Sequence, residues 1–199
     1  NTVIDALLWV REKIERENKV FIDFEQVDFS KKIVLVTGHR RESFGQGFIE
    51  ICSALKEIAL NNPDVEVVYP VHLNPNVTRP VHEILGGVSN VKLLKPLDYE
   101  PFVCLMNKSH FIITDSGGIQ EEAPSLGKPV LVTRDMTERP EALATGAVKL
   151  VGTNRKRLVQ EAQKIISDSE AYERMTIVQN PYGDGRACER IVSWLQDNM

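Results

Sequence analysis

The sequence predicts an α/β fold: a doubly wound, parallel, six-stranded Rossmann-like sheet with extra helices at the termini. Three observations carry this prediction. Short apolar runs alternate with helical segments along nearly all 199 residues. The apolar runs are almost continuous, which is typical of parallel strands that helices cover on both faces. Stop signals such as Asn61-Asn62-Pro63 and Gly86-Gly87 separate the segments.

Each strand is expected where a short apolar run replaces the helical spacing. The runs are Ile33–Thr37, Val65–Val71, Val91–Leu94, Phe111–Thr114, Pro129–Thr133 and Val148–Val151. Pro70 weakens the end of the second strand, because proline cannot donate a hydrogen bond to a neighbouring strand. Right-handed crossovers are expected to connect these parallel strands.

Helices are expected before, between and after the strands, where apolar residues recur at helical spacing. They span Val3–Glu17, Phe48–Leu60, Asn76–Leu85, Tyr99–Asn107, Ile119–Leu126, Glu138–Ala144, Asn154–Ser167, Glu170–Val178 and Gly185–Asn198. Asn1 and Thr2 can cap the first helix, and Gly127 is a C-terminal stop for the fifth. Pro124 predicts that this fifth helix is short or kinked.

The composition is that of an ordinary globular protein, and it argues against several function classes. A formal net charge of −4 disfavours nucleic acid as the main partner, because duplex binding depends on neutralising phosphates. No apolar run is long enough to span a membrane, and no secretory signal opens the sequence. The four histidines show no metal-binding spacing.

The three cysteines, Cys52, Cys104 and Cys188, lie far apart in segments that are expected to be helical. They are predicted to be reduced residues in or near the core, which indicates a reducing compartment and a cytoplasmic protein. The chain begins with Asn1 rather than methionine. It is therefore expected to be either a processed chain or a piece of a longer one.

Ligands of doubly wound sheets bind beyond the carboxyl ends of the strands, so the loops that follow strands are the candidate sites. The loop after the first strand, Gly38–Gly47, contains His39, Arg40 and Arg41. It lacks the third glycine of a dinucleotide fingerprint and the Gly-Lys-Ser/Thr of a P-loop. A histidine beside two arginines at a strand end favours a functional role over a structural one.

The loops after the second and fifth strands contain less specific candidates. His72 follows the second strand, but the adjacent Asn74-Pro75-Asn76 sequence is also ordinary turn chemistry, so a site role and a structural role both stay open. Arg139 opens a helix and can bind a phosphate with two parallel hydrogen bonds. Alternatively, it pairs at the surface with a neighbouring glutamate, either Glu138 or Glu141.

The most specific candidate is the turn Asp115–Gly118, which leads from the fourth strand directly into a helix. Unpaired N–H groups and the positive end of a helix dipole meet there, which suits a phosphate. Gly117 and Gly118 have no Cβ, so a ligand can approach the backbone. Glu122 shares a helix face with Gly118, about 6 Å along the axis, where it would meet a sugar hydroxyl. Alternatively, this is a tight turn whose acids complement the dipole.

Together these loops place histidine, arginine and amide donors opposite one carboxylate. That combination fits a ligand with a diphosphate and a ribose. The sequence shows no Ser/His/Asp arrangement, no metal cluster and no pair of carboxylates at catalytic spacing. The residues therefore predict a nucleotide site without specifying a reaction.

Five segments carry a family resemblance: Val36–Gly45, Tyr69–Asn76, Thr114–Val130, Thr137–Glu141 and Asn180–Gly185. Together they closely resemble the bacterial, non-hydrolysing UDP-N-acetylglucosamine 2-epimerases, and the resemblance extends over essentially the whole chain. It implies a GT-B enzyme with two Rossmann-like domains, of which this chain is the C-terminal one. Residues 1–30 would be a connecting helix and linker, and residues 31–199 the UDP-binding domain with its terminal helices. The N-terminal domain would be absent.

The resemblance implies an isomerase that interconverts UDP-N-acetylglucosamine and UDP-N-acetylmannosamine in the cytoplasm for cell-envelope polysaccharide synthesis. UDP is eliminated across C1–C2 to give 2-acetamidoglucal, and then adds back with the opposite configuration at C2. No metal or nicotinamide cofactor is implied, and the full-length enzyme would be a homodimer. Most acidic residues that handle the sugar protons belong to the absent domain, so this chain alone is expected to be inactive.

The residues that the resemblance assigns to UDP binding are His39, Phe102, Ser116, Gly117, Gly118, Glu122 and Arg139. His39 would stand near the phosphates and assist proton transfer, and Glu122 would bind the ribose hydroxyls. Phe102 would line the uracil pocket; otherwise it would be a core residue. Arg40 and Glu42 match positions that contact a second, regulatory UDP-N-acetylglucosamine in some members.

Two other function classes stay open. A stand-alone nucleotide-sugar binding or regulatory module would need no chemistry, and it is favoured if the chain is complete in nature. The other class contains GT-B sugar transferases and a hydrolysing relative, which releases UDP and free N-acetylmannosamine. The match around His39 and along Ser116–Glu122 disfavours a transferase.

Overall fold

The computed structural model describes residues 1–177 and 179–199. Its strands are β1 (Lys32–Thr37), β2 (Val65–Pro70), β3 (Val91–Leu94), β4 (Phe111–Thr114), β5 (Val130–Val132) and β6 (Val148–Leu150). They form one sheet in the order β3-β2-β1-β4-β5-β6, and every neighbouring pair is parallel. This is the strand order of a doubly wound Rossmann-type sheet, so the predicted fold class is confirmed.

Helices occupy the predicted positions, with small shifts at their ends. They are α1 (Thr2–Arg16), α2 (Gln46–Asn61), α3 (Pro75–Leu85), α4 (Tyr99–Lys108), α5 (Gly117–Glu122), α6 (Pro140–Thr145), α7 (Arg155–Ser167), α8 (Ser169–Thr176) and α9 (Ala187–Asn198). Val178, the predicted end of the eighth helix, lies outside the described residues. None of the described helices is both long and apolar enough to cross a membrane.

Local sequence signals explain several helix boundaries. The side chain of Asn1 accepts a hydrogen bond from the N–H of Val3 at 3.3 Å and so caps α1. A 3₁₀ turn, Ala123–Leu126, follows α5, which is the interruption that Pro124 predicts. Gly127 then ends the turn in the left-handed conformation, with φ of 64°.

Helices cover both faces of the sheet, and the core has two parts. Along β1, Val34 and Val36 face a cluster formed with α2, α3 and α7, whereas Ile33 and Leu35 face a cluster formed with α1 and α4. All four side chains are almost fully buried. The period of two along the strand therefore places one apolar set on each face, as expected for a central parallel strand. The proposed role of α1 as a link to another domain stays a prediction.

The prediction for one cysteine is wrong. Cys52 and Cys104 are buried, but Cys188 is exposed in α9. Asp5 of α1 accepts hydrogen bonds from the N–H groups of Ala187 and Cys188 at 3.1 and 2.8 Å. These bonds hold the start of α9 against α1, away from the sheet, so the described residues of this helix include no buried side chain.

Candidate functional site

A cleft of about 270 Å³ opens at the carboxyl ends of the strands around β1 and β4. The winding of the sheet reverses between these two strands, and ligands of doubly wound proteins bind at this switch point. The cleft is lined by Thr37, Gly38, His39, Pro70, His72, Pro96, Leu97, Phe102, Ser116 and Ile119. The fold thus brings His39, Phe102 and Ser116 together, and it places His72 beside them.

The lining combines apolar surface with a few polar groups. Leu97, Phe102 and Ile119 supply the apolar surface, and His39 and Ser116 supply polar atoms. Small-molecule sites usually have this composition, in which the apolar part binds a ring and the polar groups fix its orientation. The cleft therefore suits a ligand that joins a planar base to an anionic group.

Thr37 and Thr114 join the two loops that carry most of the candidate residues. They are register partners at the ends of β1 and β4, and their hydroxyl oxygens are 2.6 Å apart. The Thr114 hydroxyl also accepts a hydrogen bond from the N–H of Ser116 at 2.9 Å. The hydrogen bonds of Thr114 therefore hold the start of the His39 loop next to the start of the Ser116 turn.

Asp115 ties the first loop to the end of β4, a function that our sequence analysis missed. Its carboxylate is only 2% exposed, and Oδ2 accepts hydrogen bonds from the N–H groups of His39 at 2.8 Å and Arg40 at 2.7 Å. Its Oδ1 lies 3.9 Å from Nδ1 of His39. The available signal was an acid directly after a strand that begins with three apolar residues, because a charge buried at such a strand end requires donors.

The rings of His39 and His72 stack in the cleft, with centroids 5.0 Å apart and an interplanar angle of 10°. The N–H of Asn74 donates to Nδ1 of His72 at 3.1 Å, so this nitrogen is an acceptor and the proton of the neutral ring is on Nε2. His72 therefore has both of the roles that its sequence left open: it supports a turn, and it lines the cleft.

Two arginines converge on the turn at Gly117. A methyl group built there would lie 3.9 Å from Nη2 of Arg40 and 4.0 Å from Nη2 of Arg139. The following helix, α5, has only six residues, so its dipole is a weaker source of positive potential than the sequence analysis expects. The guanidinium groups supply the main positive charge at this turn.

Arg139 pairs with neither of the glutamates that the alternative reading named. Its Nε donates to the carboxylate of Glu121 on α5, and its Nη1 donates to the backbone carbonyl of Glu138 at 3.2 Å. Asn1 also donates to Glu121, at 2.6 Å. This arrangement directs the guanidinium toward Gly117, and the side chain stays 34% exposed.

Glu122 lies on α5 and is 8% exposed. Burial and the nearby charge of Glu121 raise the pKa of Glu122 to about 7, and a hydrogen bond with the Tyr99 hydroxyl partly opposes this shift. Burial, followed by the charge of Glu122, raises the pKa of Tyr99 to about 12. Tyr99 is therefore a neutral hydrogen-bond donor to a carboxylate that is more basic than an ordinary glutamate. Nothing in the sequence indicated this role for Tyr99.

Glu42 lies in a different place from the other candidates. Arg134, which is 7% exposed, donates to Glu42 at 2.6 Å and to both oxygens of Glu138 at 2.9 and 3.0 Å. These hydrogen bonds lower the pKa of Glu138 to about 2. Glu42 and Arg134 line a second cavity of about 400 Å³, separate from the cleft around His39.

The described residues include no group of three or more His, Cys, Asp and Glu side chains that could hold a metal ion. What they bring together is a set of groups for an anionic ligand with a ring. Arg40, Arg139 and the turn at Gly117 offer donors, and Phe102 offers apolar surface in the adjacent cleft. Glu122 lies on the helix that begins at this turn, but it is buried and is not among the residues that line the cleft.

The fold and the cleft together define the chain as one Rossmann-like domain of the GT-B class. The chain belongs to the UDP-N-acetylglucosamine 2-epimerase family, whose model matches residues 1–196. It is 57% identical to the UDP-N-acetylglucosamine 2-epimerase of Campylobacter jejuni over 202 residues, with 98% of this chain and 53% of the relative covered. The relative from Escherichia coli K12 is also 57% identical over 202 residues, with 100% and 54% covered.

The chain therefore spans about half the length of the curated relatives it matches. The crystal structure of UDP-GlcNAc 2-epimerase from Neisseria meningitidis bound to UDP-GlcNAc matches with a TM-score of 0.92 and 48% identity. That match covers 99% of this chain and 54% of the other. The glycotransferase of kitacinnamycin shares the fold alone, with a TM-score of 0.64 and 16% identity over 85% of this chain and 44% of the other.

Proposed function

We propose that this chain is the UDP-binding, C-terminal part of a non-hydrolysing UDP-N-acetylglucosamine 2-epimerase, which interconverts UDP-GlcNAc and UDP-ManNAc. The main support is the convergence of Arg40 and Arg139 on Gly117, next to the cleft that His39 and Phe102 line. Two positive charges at a glycine turn suit a diphosphate. Family membership adds that the relatives are epimerases.

In the proposed complex, the uracil packs on the apolar surface around Phe102. The diphosphate lies against the Ser116–Gly118 turn, between the guanidinium groups of Arg40 and Arg139. The ribose hydroxyls donate to Glu122, which is a good acceptor because its raised pKa makes the carboxylate more basic than an ordinary glutamate. His39 stands at the phosphates, on the cleft side of the loop after β1.

The proposed reaction begins with elimination. A base removes the proton from C2 of the sugar, the C1–O bond breaks, and UDP leaves with the bonding electron pair, so 2-acetamidoglucal forms. Negative charge develops on the β-phosphate, where Arg40, Arg139 and the turn amides stabilise it. UDP then adds back to C1, and C2 takes a proton on the opposite face. The groups that move the C2 proton belong mainly to the N-terminal half.

Closure of the two halves would hold both UDP and the glycal until they recombine, and it would exclude water. The division into a connecting segment, residues 1–30, and a UDP-binding domain, residues 31–199, is part of this proposal. So are a homodimer and a cytoplasmic location. A second, regulatory UDP-GlcNAc at Arg40 and Glu42 would have to compete with Arg134 for the Glu42 carboxylate.

The test is the product that the full-length protein forms from UDP-GlcNAc in deuterated water. The proposal expects UDP-ManNAc that carries deuterium at C2, because the proton exchanges with solvent during elimination. Free N-acetylmannosamine with UDP would indicate the hydrolysing relative. Transfer of the sugar to an added acceptor would indicate a transferase, and UDP binding without turnover would indicate a binding module.

A further inference from the structure

Asp115 is a buried carboxylate to which the proposed UDP complex gives no role. It follows β4 directly and is 2% exposed. Oδ2 accepts two backbone N–H groups, from His39 at 2.8 Å and from Arg40 at 2.7 Å. A buried carboxylate is costly unless donors compensate its charge. These two hydrogen bonds therefore fix the loop after β1 to the end of β4.

The other oxygen of Asp115, Oδ1, is buried and has no hydrogen-bond partner among the described residues. It lies 3.9 Å from Nδ1 of His39, which is too long for a hydrogen bond. The nearby Tyr69 hydroxyl is not available as a donor, because it donates to the carbonyl of Gly38 at 2.8 Å. The His39 side chain is 49% exposed and therefore has room to turn toward Oδ1.

We propose that Asp115 is a positioning residue, which holds the His39 loop through Oδ2 and orients the His39 imidazole through Oδ1. This inference rests on the proposed function, in which His39 acts at the diphosphate. A movement of about 1 Å brings Nδ1 into hydrogen-bond distance of Oδ1. Nδ1–H then donates to Asp115, and the neutral ring presents an unprotonated Nε2 to the cleft.

The chemical consequence concerns the tautomer of His39. A neutral imidazole carries its proton on either nitrogen, and a hydrogen bond from one nitrogen to a carboxylate selects the tautomer. The carboxylate also stabilises the imidazolium that forms when Nε2 accepts a proton. Asp115 would thereby prepare His39 to accept a proton or to donate one to the departing phosphate oxygen.

The substitution Asp115→Asn in the full-length protein separates the two functions of the carboxylate. The amide oxygen can still accept both backbone N–H groups, whereas the NH₂ group faces Nδ1 and forces the proton onto Nε2. We expect UDP affinity within about threefold of the unaltered protein and a fall in kcat of about 100-fold or more. The ¹⁵N shifts of the His39 ring should report the exchanged tautomer. Asp64→Asn, at an exposed position directly before β2, is the matched control.

An unchanged kcat, or an unchanged His39 tautomer in Asp115→Asn, would overturn the proposal. If that variant does not fold, the tautomer in the unaltered protein saturated with UDP decides the question. A neutral His39 with its proton on Nδ1 supports the inference. A neutral His39 with its proton on Nε2 contradicts it, because Nδ1 then has no proton to donate to Oδ1 of Asp115. Failure of the proposed function is a distinct result, in which the unaltered protein forms no UDP-ManNAc; the His39 tautomer still tests Asp115 in that case.

Discussion

The imidazole rings of His39 and His72 lie face to face, 5.0 Å apart and 10° from parallel. They come from the loops after β1 and β2, which are adjacent in the sheet. Stacking fixes the plane of the His39 ring, but a 180° flip about the Cβ–Cγ bond preserves that plane. The stack therefore leaves open which ring edge faces Asp115, and a hydrogen bond between Nδ1 and Asp115 would select one.

Gly117→Ala should separate folding from ligand binding. The nearest atoms to an added methyl group are 3.9 Å away, and the residue is not in the left-handed region, so the fold should accept alanine. We expect the free energy of unfolding to stay constant or to rise by up to about 1 kcal/mol. UDP affinity should fall about 10-fold or more, because the methyl group occupies the space that the diphosphate approaches.

Titration calorimetry with UDP and urea unfolding measure the two effects of Gly117→Ala. Gly87→Ala is a suitable control, because an added methyl group at Gly87 meets no atom within 4 Å. If Gly117→Ala bound UDP as tightly as the unaltered protein, the diphosphate would have to bind elsewhere.

Arg40→Met should weaken the binding of UDP without weakening that of uridine. Arg40 forms no ion pair with a described residue, so its removal leaves no carboxylate unpaired. Loss of a charged hydrogen bond to the diphosphate is expected to cost about 1.5–3 kcal/mol, or about 10- to 150-fold in affinity. The exposed Arg79 of α3 provides the control Arg79→Met. An equal loss for uridine and UDP would contradict a role at the phosphates.

Glu122→Ala should weaken UDP binding by about 1–3 kcal/mol, because hydrogen bonds from the ribose hydroxyls to a carboxylate are lost. Calorimetry with UDP and with 2′-deoxy-UDP tests this role directly. The variant should bind both ligands with similar affinity, whereas the unaltered protein should prefer UDP. Glu83→Ala, at an exposed position on α3, controls for the loss of a negative charge. Unchanged affinity for UDP would reject the ribose role.

Glu122→Gln should stabilise the fold at high pH but not at low pH. Burial raises the pKa of Glu122 from its ordinary value of 4.5 to about 7 in the folded chain. Because the folded state keeps this proton to higher pH than the unfolded state does, stability falls as pH rises from about 4.5 to about 7. Above pH 7 the full cost of the buried charge is present.

Urea unfolding of the ligand-free protein at pH 4 and pH 8 measures this effect. At pH 4, the Glu122 side chain is largely neutral in both the folded and the unfolded state, as glutamine is, so the two proteins should have similar free energies of unfolding. At pH 8, the Gln variant should be more stable by roughly 1–2 kcal/mol, after a discount for partial solvation of the site. Glu83→Gln should show no such pH dependence. An equal difference at both pH values would contradict the raised pKa.

The 199-residue chain by itself should bind UDP but should not turn over UDP-GlcNAc. The proposal assigns the other half of the cleft to the N-terminal part of the protein, so we expect the affinity of this chain for UDP to be about 10-fold or more below that of the full-length protein. Calorimetry and a product assay on both proteins measure the difference. Turnover by the isolated chain would show that the proposed division of proton transfer between the domains is wrong.

The fold could be predicted from the sequence because its signals are local. Continuous apolar runs, helix caps and proline or glycine stops mark most element boundaries within a few residues. The errors occurred where a distant segment decides the outcome. Cys188 lies on an amphipathic helix, and its exposure follows from the capping of α9 by Asp5, far away in the sequence.

The candidate site shows the same limit. Positions such as Ser116 and His39 could be placed at strand ends, because each lies just after a local apolar run. The pairs Arg139–Glu121 and Arg134–Glu42 could not, because each joins segments that only tertiary packing brings together. The raised pKa of Glu122 likewise depends on burial, which no local pattern reveals.

The hydroxyl contact between Thr37 and Thr114 has a consequence for nucleotide selection. It joins the ends of two central strands, so the spacing between the start of the His39 loop and the start of the Ser116 turn does not depend on a bound ligand. Because these strand ends are already ordered, ligand binding does not have to bear the entropy cost of ordering them. The strand ends that the contact joins also would not move apart to fit a longer phosphate chain. Tolerance of different ligands would then have to come from side-chain movement or from the proposed N-terminal domain.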